Sequence, residues 1–250
     1  MSTIGGSCSG TVGRSQLSAD INNGVTNGRD INIDGVPEWR MMDDVRDSYD
    51  ARAAEYTALA LGDLDRVPND RNWLGEFAEL VAVGNGVVAD LGCGPGHVTN
   101  HLSTLGLTVI GYDIAPAMVA AAQRAFPDST FQVGDLTALD VASSSLAGIV
   151  ARYSFIHLPT TRLASVFREW SRILEPGAPV LLSFFAANSP NRHGSPFDHA
   201  IATAYELFPA TISSELHDAG FDAIRVGTRG PLVGERPLDH GTILARGAST

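Results

Sequence analysis

From Gly86 onward the chain alternates short apolar runs with stretches whose apolar residues recur every three or four positions. Val87-Val88-Ala89-Asp90-Leu91 reads as a short buried strand, and 98–105 as a helix. The segment 108–113 is the next strand, followed by a helix opening on Pro116, whose missing N–H costs nothing in a first turn. Strands over 130–135, 148–155 and 179–185 follow, with an amphipathic helix over 160–174 ended by Glu175-Pro176-Gly177. A helix over 210–219 and strands over 222–228 and 241–246 complete the pattern. Strands separated by helices predict a parallel sheet covered on both faces, with ligands at the carboxyl ends of the strands. Upstream, Val45, Tyr49, Arg52, Ala53 and Tyr56 predict one helix with both tyrosines on one side, and 69–83 predicts another, capped by Asn69 or Asp70. Residues 1–35, rich in Gly, Ser, Asn and Thr without a period, predict a disordered tail that ligand binding does not need. The expected organisation is therefore a tail over 1–35, a helical cap over 36–85 and a core over 86–250. No internal repeat is visible.

Composition narrows the chemistry. All 17 basic residues are Arg, so a lysine Schiff base and a P-loop lysine are both excluded. A net charge of −11 repels polyanions and disfavours nucleic-acid partners. The longest apolar runs, such as 179–187, fall far short of the roughly 20 residues that span a bilayer, and no signal-peptide pattern is present at the N-terminus. The two cysteines, Cys8 in the polar tail and Cys93 in a Gly-rich turn, do not suggest a disulfide framework, and a cytoplasmic location is expected.

The most informative stretch is Asp90-Leu91-Gly92-Cys93-Gly94-Pro95-Gly96-His97, placed where a strand ends and a helix begins. Glycines there permit a sharp turn and close ligand approach, and the free N–H groups of a helix start favour negative charge. The glycines fall at 92, 94 and 96, with His97 where a dinucleotide fingerprint would place its third glycine, which counts against NAD or FAD. Asp113 ends the second strand, where an acid can accept bonds from ribose hydroxyls, and Asp135 ends the third, where it can meet an adenine amino group. Each acid could singly be a cap; their shared position at three consecutive strand ends makes them one constellation.

These residues make the chain, over roughly 49–246, resemble the class I S-adenosylmethionine-dependent methyltransferases. The matching segments are V-V-A-D-L-G-C-G-P-G, I-G-Y-D-I-A-P-A-M, Q-V-G-D-L and L-E-P-G-A-P-V-L-L; in flavour they are nearest to small-molecule methyltransferases of actinobacterial metabolism. The resemblance implies a three-layer α/β sandwich, Rossmann-like, with a seven-stranded, mostly parallel sheet, an antiparallel last strand and added N-terminal helices. It implies that Asp90 orients the amino-acid part of S-adenosyl-L-methionine, that Leu91, Gly92, Cys93, Gly94 and Gly96 lie against it, and that Asp113 binds the ribose. Asp135 and Leu136 would meet the adenine, Ile114 and Met118 would pack around the nucleoside, and Tyr49 on the covering helix would contact the cofactor. Arg152 is a lesser candidate for the same surface, as is Arg52.

Methyl transfer needs nucleophile and methyl held in line in a dry site, with a base nearby when the acceptor carries a proton. The fourth strand ends in Arg152-Tyr153-Ser154-Phe155-Ile156-His157, so Tyr153, Phe155 and His157 are candidate substrate contacts and His157 the candidate general base. A structural histidine bonded to a nearby carbonyl is the competing reading of His157. Phe184 and Phe185 suggest an apolar substrate, although only one of them can face the site. No Asp/Asn-Pro-Pro-Tyr/Phe tetrapeptide and no carboxylate cluster occurs here, and His193 and His199 look like solvated loop histidines, so no metal is expected. The long link 186–207 is a candidate substrate lid. The expectation is methylation of O, N or C on a small, natural-product-like molecule of secondary metabolism; a cyclase using the same cofactor site, a binding protein that has lost turnover and an NAD-dependent oxidoreductase are the alternatives. A homo-oligomer is compatible with the pattern, and no nucleic-acid or membrane partner is expected.

Overall fold

Five strands of alternating outward and inward side chains set the frame: β1 (Val87–Leu91), β2 (Thr108–Asp113), β3 (Thr130–Val133), β4 (Leu146–Arg152) and β5 (Pro179–Ala186). The computed structural model describes residues 38–81 and 86–249; the expected tail over 1–35, Cys8 and the end of the second expected helix at 82–83 lie outside them. Helices α1 (Glu38–Ala51), α2 (Ala53–Ala60), α3 (Asp63–Arg66) and α4 (Pro68–Val81) precede β1, α5 (His97–Thr104) and α6 (Pro116–Ala125) link β1 to β3, and α7 (Thr160–Ile173) joins β4 to β5. After β5 come a small hairpin of β6 (Ser195–Asp198) and β7 (Thr203–Glu206), then α8 (Pro209–Asp218), β8 (Phe221–Arg229) and β9 (Asp239–Gly247).

The main sheet runs β3-β2-β1-β4-β5-β9-β8. Neighbours from β3 through β5 pair in parallel, and β9 is inserted antiparallel between β5 and β8. The chain leaves β1 in one direction to β2 and β3, and returns to its other side as β4 and β5. That reversal opens a crevice beyond the carboxyl ends of β1 and β4, the usual ligand position in such sheets.

Period-two alternation decides which face each residue covers. Val88, Val150, Leu181 and Leu244 pack against Trp73, Leu74 and Phe77 of α4 and Val98 and Leu102 of α5. Their neighbours Ala89, Ile149, Val180, Leu182 and Ile243 pack on the other face against Leu163, Val166, Phe167, Trp170 and Ile173 of α7 and Ile212 and Leu216 of α8. Each fully buried large side chain contributes about 1.5–3 kcal/mol, so the two clusters hold the strand ends as a rigid platform. Among the described residues no helix is long and apolar enough to cross a membrane.

Four elements depart from expectation, one being the fourth strand, which ends at Arg152 rather than at 155 because 155–157 form a short helical turn. The tyrosine helix is broken: α1 ends at Ala51, Arg52 adopts a non-helical φ of −117° and ψ of 17°, and α2 begins at Ala53. Tyr49 and Tyr56 nevertheless meet edge to face at 5.4 Å, because a one-residue break preserves the side they share. Helix α4 opens on Pro68 rather than on a cap at 69 or 70, and Asp70 is instead buried in an ion pair. The link 186–207 is no featureless loop, since β6 and β7 fold back along it and Leu207 bridges to Ala186.

Candidate functional site

Two adjoining cavities occupy the crevice, one of about 260 Å³ and one of about 60 Å³. Tyr56, Gly92, Gly94, Arg152 and Tyr153 line both and form the wall between them.

The glycine turn builds that wall. Gly92 has φ +71°, a left-handed conformation that L side chains rarely adopt, and a Cβ there would lie 2.2 Å from Ser154 Cβ. Gly92→Ala is therefore expected to lower the melting temperature, by about 2 kcal/mol or more in stability once strain and collision are combined, and to narrow both cavities; thermal melts beside ligand titrations check it. The N–H of Gly94 donates to Asp113 Oδ2 and that of Ala115 to Asp113 Oδ1, both at 2.9 Å, so the acid ending β2 ties the turn to the start of α6. Each oxygen keeps a second lone-pair site, and Asp113 faces the smaller cavity beside Ile114, Asp135 and Leu136. Asp135 Oδ1 accepts from the backbone N–H and the hydroxyl of Thr137, both at 2.8 Å; this acid caps a turn and also lines the cavity. Asp90 lines the larger cavity and accepts from the Thr99 hydroxyl at 2.6 Å.

Arg152 stands between these acids. Its guanidinium donates to Asp63 Oδ2 at 2.9 Å and to Asp70, with 8% of the side chain exposed against 7% for Asp70, so this is a core ion pair rather than a surface charge. Its Nε, the Ser154 hydroxyl and both ring nitrogens of His97 are buried without partners among the described residues. Arg52, the lesser candidate, is a surface charge paired with Glu55.

His157 is placed differently from a free base. Its Nδ1 meets the carbonyl oxygen of Thr203 at 2.7 Å, which fixes the proton there, and its Nε2 accepts from the Tyr49 hydroxyl at 2.9 Å. Both nitrogens are committed, it faces the smaller cavity, and burial pushes its pKa down to about 4. Tyr49 and His157 together fasten α1 over the smaller cavity.

Four other expected contacts turn inward. Leu91 and Phe155 are fully buried in the α7 core, Phe155 against Phe167, Trp170 and Phe184, and neither lines either of these two cavities. Gly96 serves packing, since a Cβ there would meet Phe131 Cζ at 2.5 Å, and Met118 packs beneath Tyr49 and Tyr56. Tyr153, Cys93 and Phe185 do line the larger cavity, and Phe184 points away into the core, as alternation requires. Given no role in the site by the sequence were Tyr56, His97, Arg229, Glu235 and His240; the last three belong to β8, β9 and the turn between them, far along the chain from the glycine turn they face across the larger cavity. His193 and His199 are half-buried rather than fully solvated: His193 Nδ1 accepts from the Phe208 N–H at 3.0 Å, and His199 packs 5.6 Å from Phe185 and 5.4 Å from His157. Among the described residues no group of three or more His, Cys, Asp or Glu side chains is arranged to hold a metal ion.

Burial sets the titration of the site. His97, His157 and His199 are pushed down to about 4, so the fold refuses protons that the unfolded chain takes up below about 6.5. Asp90 and Asp113 are pushed up to about 6, chiefly by burial, and oppose this. Three groups losing against two gaining leaves a net loss, so stability should fall as pH drops from about 6.5 towards 4. Thermal melts at pH 7 and 5 test the sign.

Residues 88–177 match the family model of a methyltransferase domain. The malonyl-acyl-carrier-protein O-methyltransferase of Erwinia billingiae is 29% identical over 149 residues, 54% of this chain and 58% of that protein. The chain spans about half the length of the curated relatives it matches. Among solved structures, magnesium protoporphyrin IX methyltransferase from Synechocystis PCC 6803 with bound S-adenosylmethionine superposes with a TM-score of 0.62 at 23% identity, covering 83% of this chain and 97% of that one. The cyclase SpnF gives 0.60 at 14%, covering 71% and 81%. The fold is the Rossmann-like fold of the class I S-adenosylmethionine-dependent methyltransferases.

Proposed function

We propose that this chain is an S-adenosylmethionine-dependent methyltransferase acting on a small, largely apolar molecule, as in the actinobacterial small-molecule enzymes its sequence resembles. The observation that carries the reading is the pair of adjoining cavities that share Gly92, Gly94, Arg152 and Tyr153 as lining, with Asp90 on one side and Asp113 and Asp135 on the other.

The donor set fits the cofactor. Asp113 has lone pairs left for two ribose hydroxyls and Asp135 for an amino group, while Ile114 and Leu136 offer apolar cover to a base. Asp90 accepts from an ammonium, and the unpartnered Arg152 Nε–H and the single ring N–H of neutral His97 are suited to a carboxylate. S-adenosylmethionine supplies a sulfonium methyl, whose bond to sulfur breaks with its electron pair staying on sulfur as the acceptor bonds to carbon. The chain's own part is positional: the wall that includes Tyr56 and Tyr153 sets the two halves of the crevice side by side, and Phe185, Leu59 and Ala60 give the larger cavity an apolar lining. Incubation with the cofactor and a candidate acceptor is read by product mass. A gain of one methylene supports the proposal; an unchanged mass with a new ring points to the cyclase reading, and no cofactor-dependent product opposes both.

A further inference from the structure

The larger cavity contains an acid, a histidine and a hydroxyl in sequence. Tyr153 follows β4 with φ +53°, a left-handed conformation uncommon for a bulky residue. Its N–H donates to Ser183 O at 2.8 Å, holding that conformation. Its hydroxyl donates to His240 Nδ1 at 2.6 Å. The other nitrogen, Nε2, lies 3.4 Å from Glu235 Oε2 and is otherwise unpartnered among the described residues. Glu235 is itself fixed: Arg229 reaches both its oxygens, at 2.6 and 2.9 Å, and the Leu232 N–H donates to Oε2 at 2.6 Å. All three side chains line the cavity.

We propose that Tyr153, His240 and Glu235 form a proton relay that makes this cavity an O-methylation site for hydroxyaromatic molecules. The inference rests on the methyltransferase reading and names the acceptor atom that reading leaves open. The aromatic part follows from the walls: Phe185 lies 5.1 Å from Tyr153 and 5.2 Å from His240, with His199 at 5.6 Å, a ring-lined face opposite Leu59 and Ala60. The hydroxyl part follows from proton balance. A substrate O–H donates to Tyr153 Oη; its proton passes there as Tyr153's own proton passes to His240 Nδ1. The resulting imidazolium turns Nε2–H toward the Glu235 carboxylate, and the electron pair freed on the substrate oxygen forms the bond to the methyl carbon. His240 is neutral at pH 7 and so able to accept. Burial and the facing cations Arg229 and Arg152 lower its basicity, and the facing anions Glu235 and Asp70 raise it, with a net lowering. Glu235 is held down to about 2 by Arg229, so it is an anion throughout.

The test uses the full chain saturated with S-adenosylhomocysteine and 4-nitrophenol, whose phenolate has its own visible absorption band. Bound nitrophenol is expected to ionise about one pH unit lower than free, a tenfold shift in its ionisation constant. Tyr153→Phe should remove the shift and Glu235→Gln should reduce it, with the far-ultraviolet circular dichroism of both variants checking that they are folded. If nitrophenol fails to bind, binds in its neutral form, or ionises equally in the Tyr153→Phe protein, the relay is overturned while the methyltransferase reading stands. Failure of S-adenosylhomocysteine to bind would overturn that reading and the relay with it.

Discussion

Asp113→Ala should weaken S-adenosylhomocysteine binding on the order of 100-fold, as read by calorimetric titration. The carboxylate offers the smaller cavity its buried acceptors and also satisfies the N–H groups of Gly94 and Ala115. Charge-assisted hydrogen bonds contribute about 1.5–3 kcal/mol each, and 1.4 kcal/mol is a factor of about ten, so losing two ligand bonds accounts for the magnitude. Freeing the Gly94 N–H adds to it by loosening the turn that separates the cavities. Asp113→Asn retains the shape but sets an amide N–H against a backbone N–H, and should fall between the two. An Asp113→Ala protein with undiminished affinity would remove this acid from the site.

The largest effect on stability is expected at Arg152. Replacing it with Met leaves Asp70, 6% exposed, as an uncompensated buried charge beside Asp63. Breaking a buried pair from one side costs about 3–5 kcal/mol, which for a chain of this size lowers the melting temperature by roughly 10 °C. Arg152→Met combined with Asp70→Asn should recover much of the loss, because the stranded charge goes too. Equal melting temperatures for the single variant and the parent would show that the pair is solvated rather than buried. The same variant should also bind cofactor more weakly, since Arg152 lines both cavities.

What the chain discloses in one dimension is what local spacing determines. Alternation at Val88-Ala89 and Val180-Leu181 assigns each face of the sheet, and the three strand-end acids keep their places because β1, β2 and β3 end side by side. The glycine turn is equally local, its positive φ values being demanded by the strand-to-helix reversal. Pairings across the sheet were not legible. Asp70 and Arg152 are 82 residues apart, and Tyr153 and His240 are 87 apart; Arg152 and Tyr153 stood out as strand-end candidates, but nothing in either segment names the distant partner. Phe155 looks like a site residue because it follows a strand end, yet the short helical turn at 155–157 rotates it into the α7 core. His157 leaves that same turn toward the cavity, but β7, too short to announce itself, brings Thr203 O to its Nδ1.

The central claim is that the crevice beyond β1 and β4 is built for S-adenosylmethionine, and calorimetric titration of the full chain tests it most directly. S-adenosylmethionine and S-adenosylhomocysteine should each bind at one site, with affinity reduced by Asp113→Ala, while NAD should not bind. Binding of NAD, or heat from neither sulfur compound, would contradict the account.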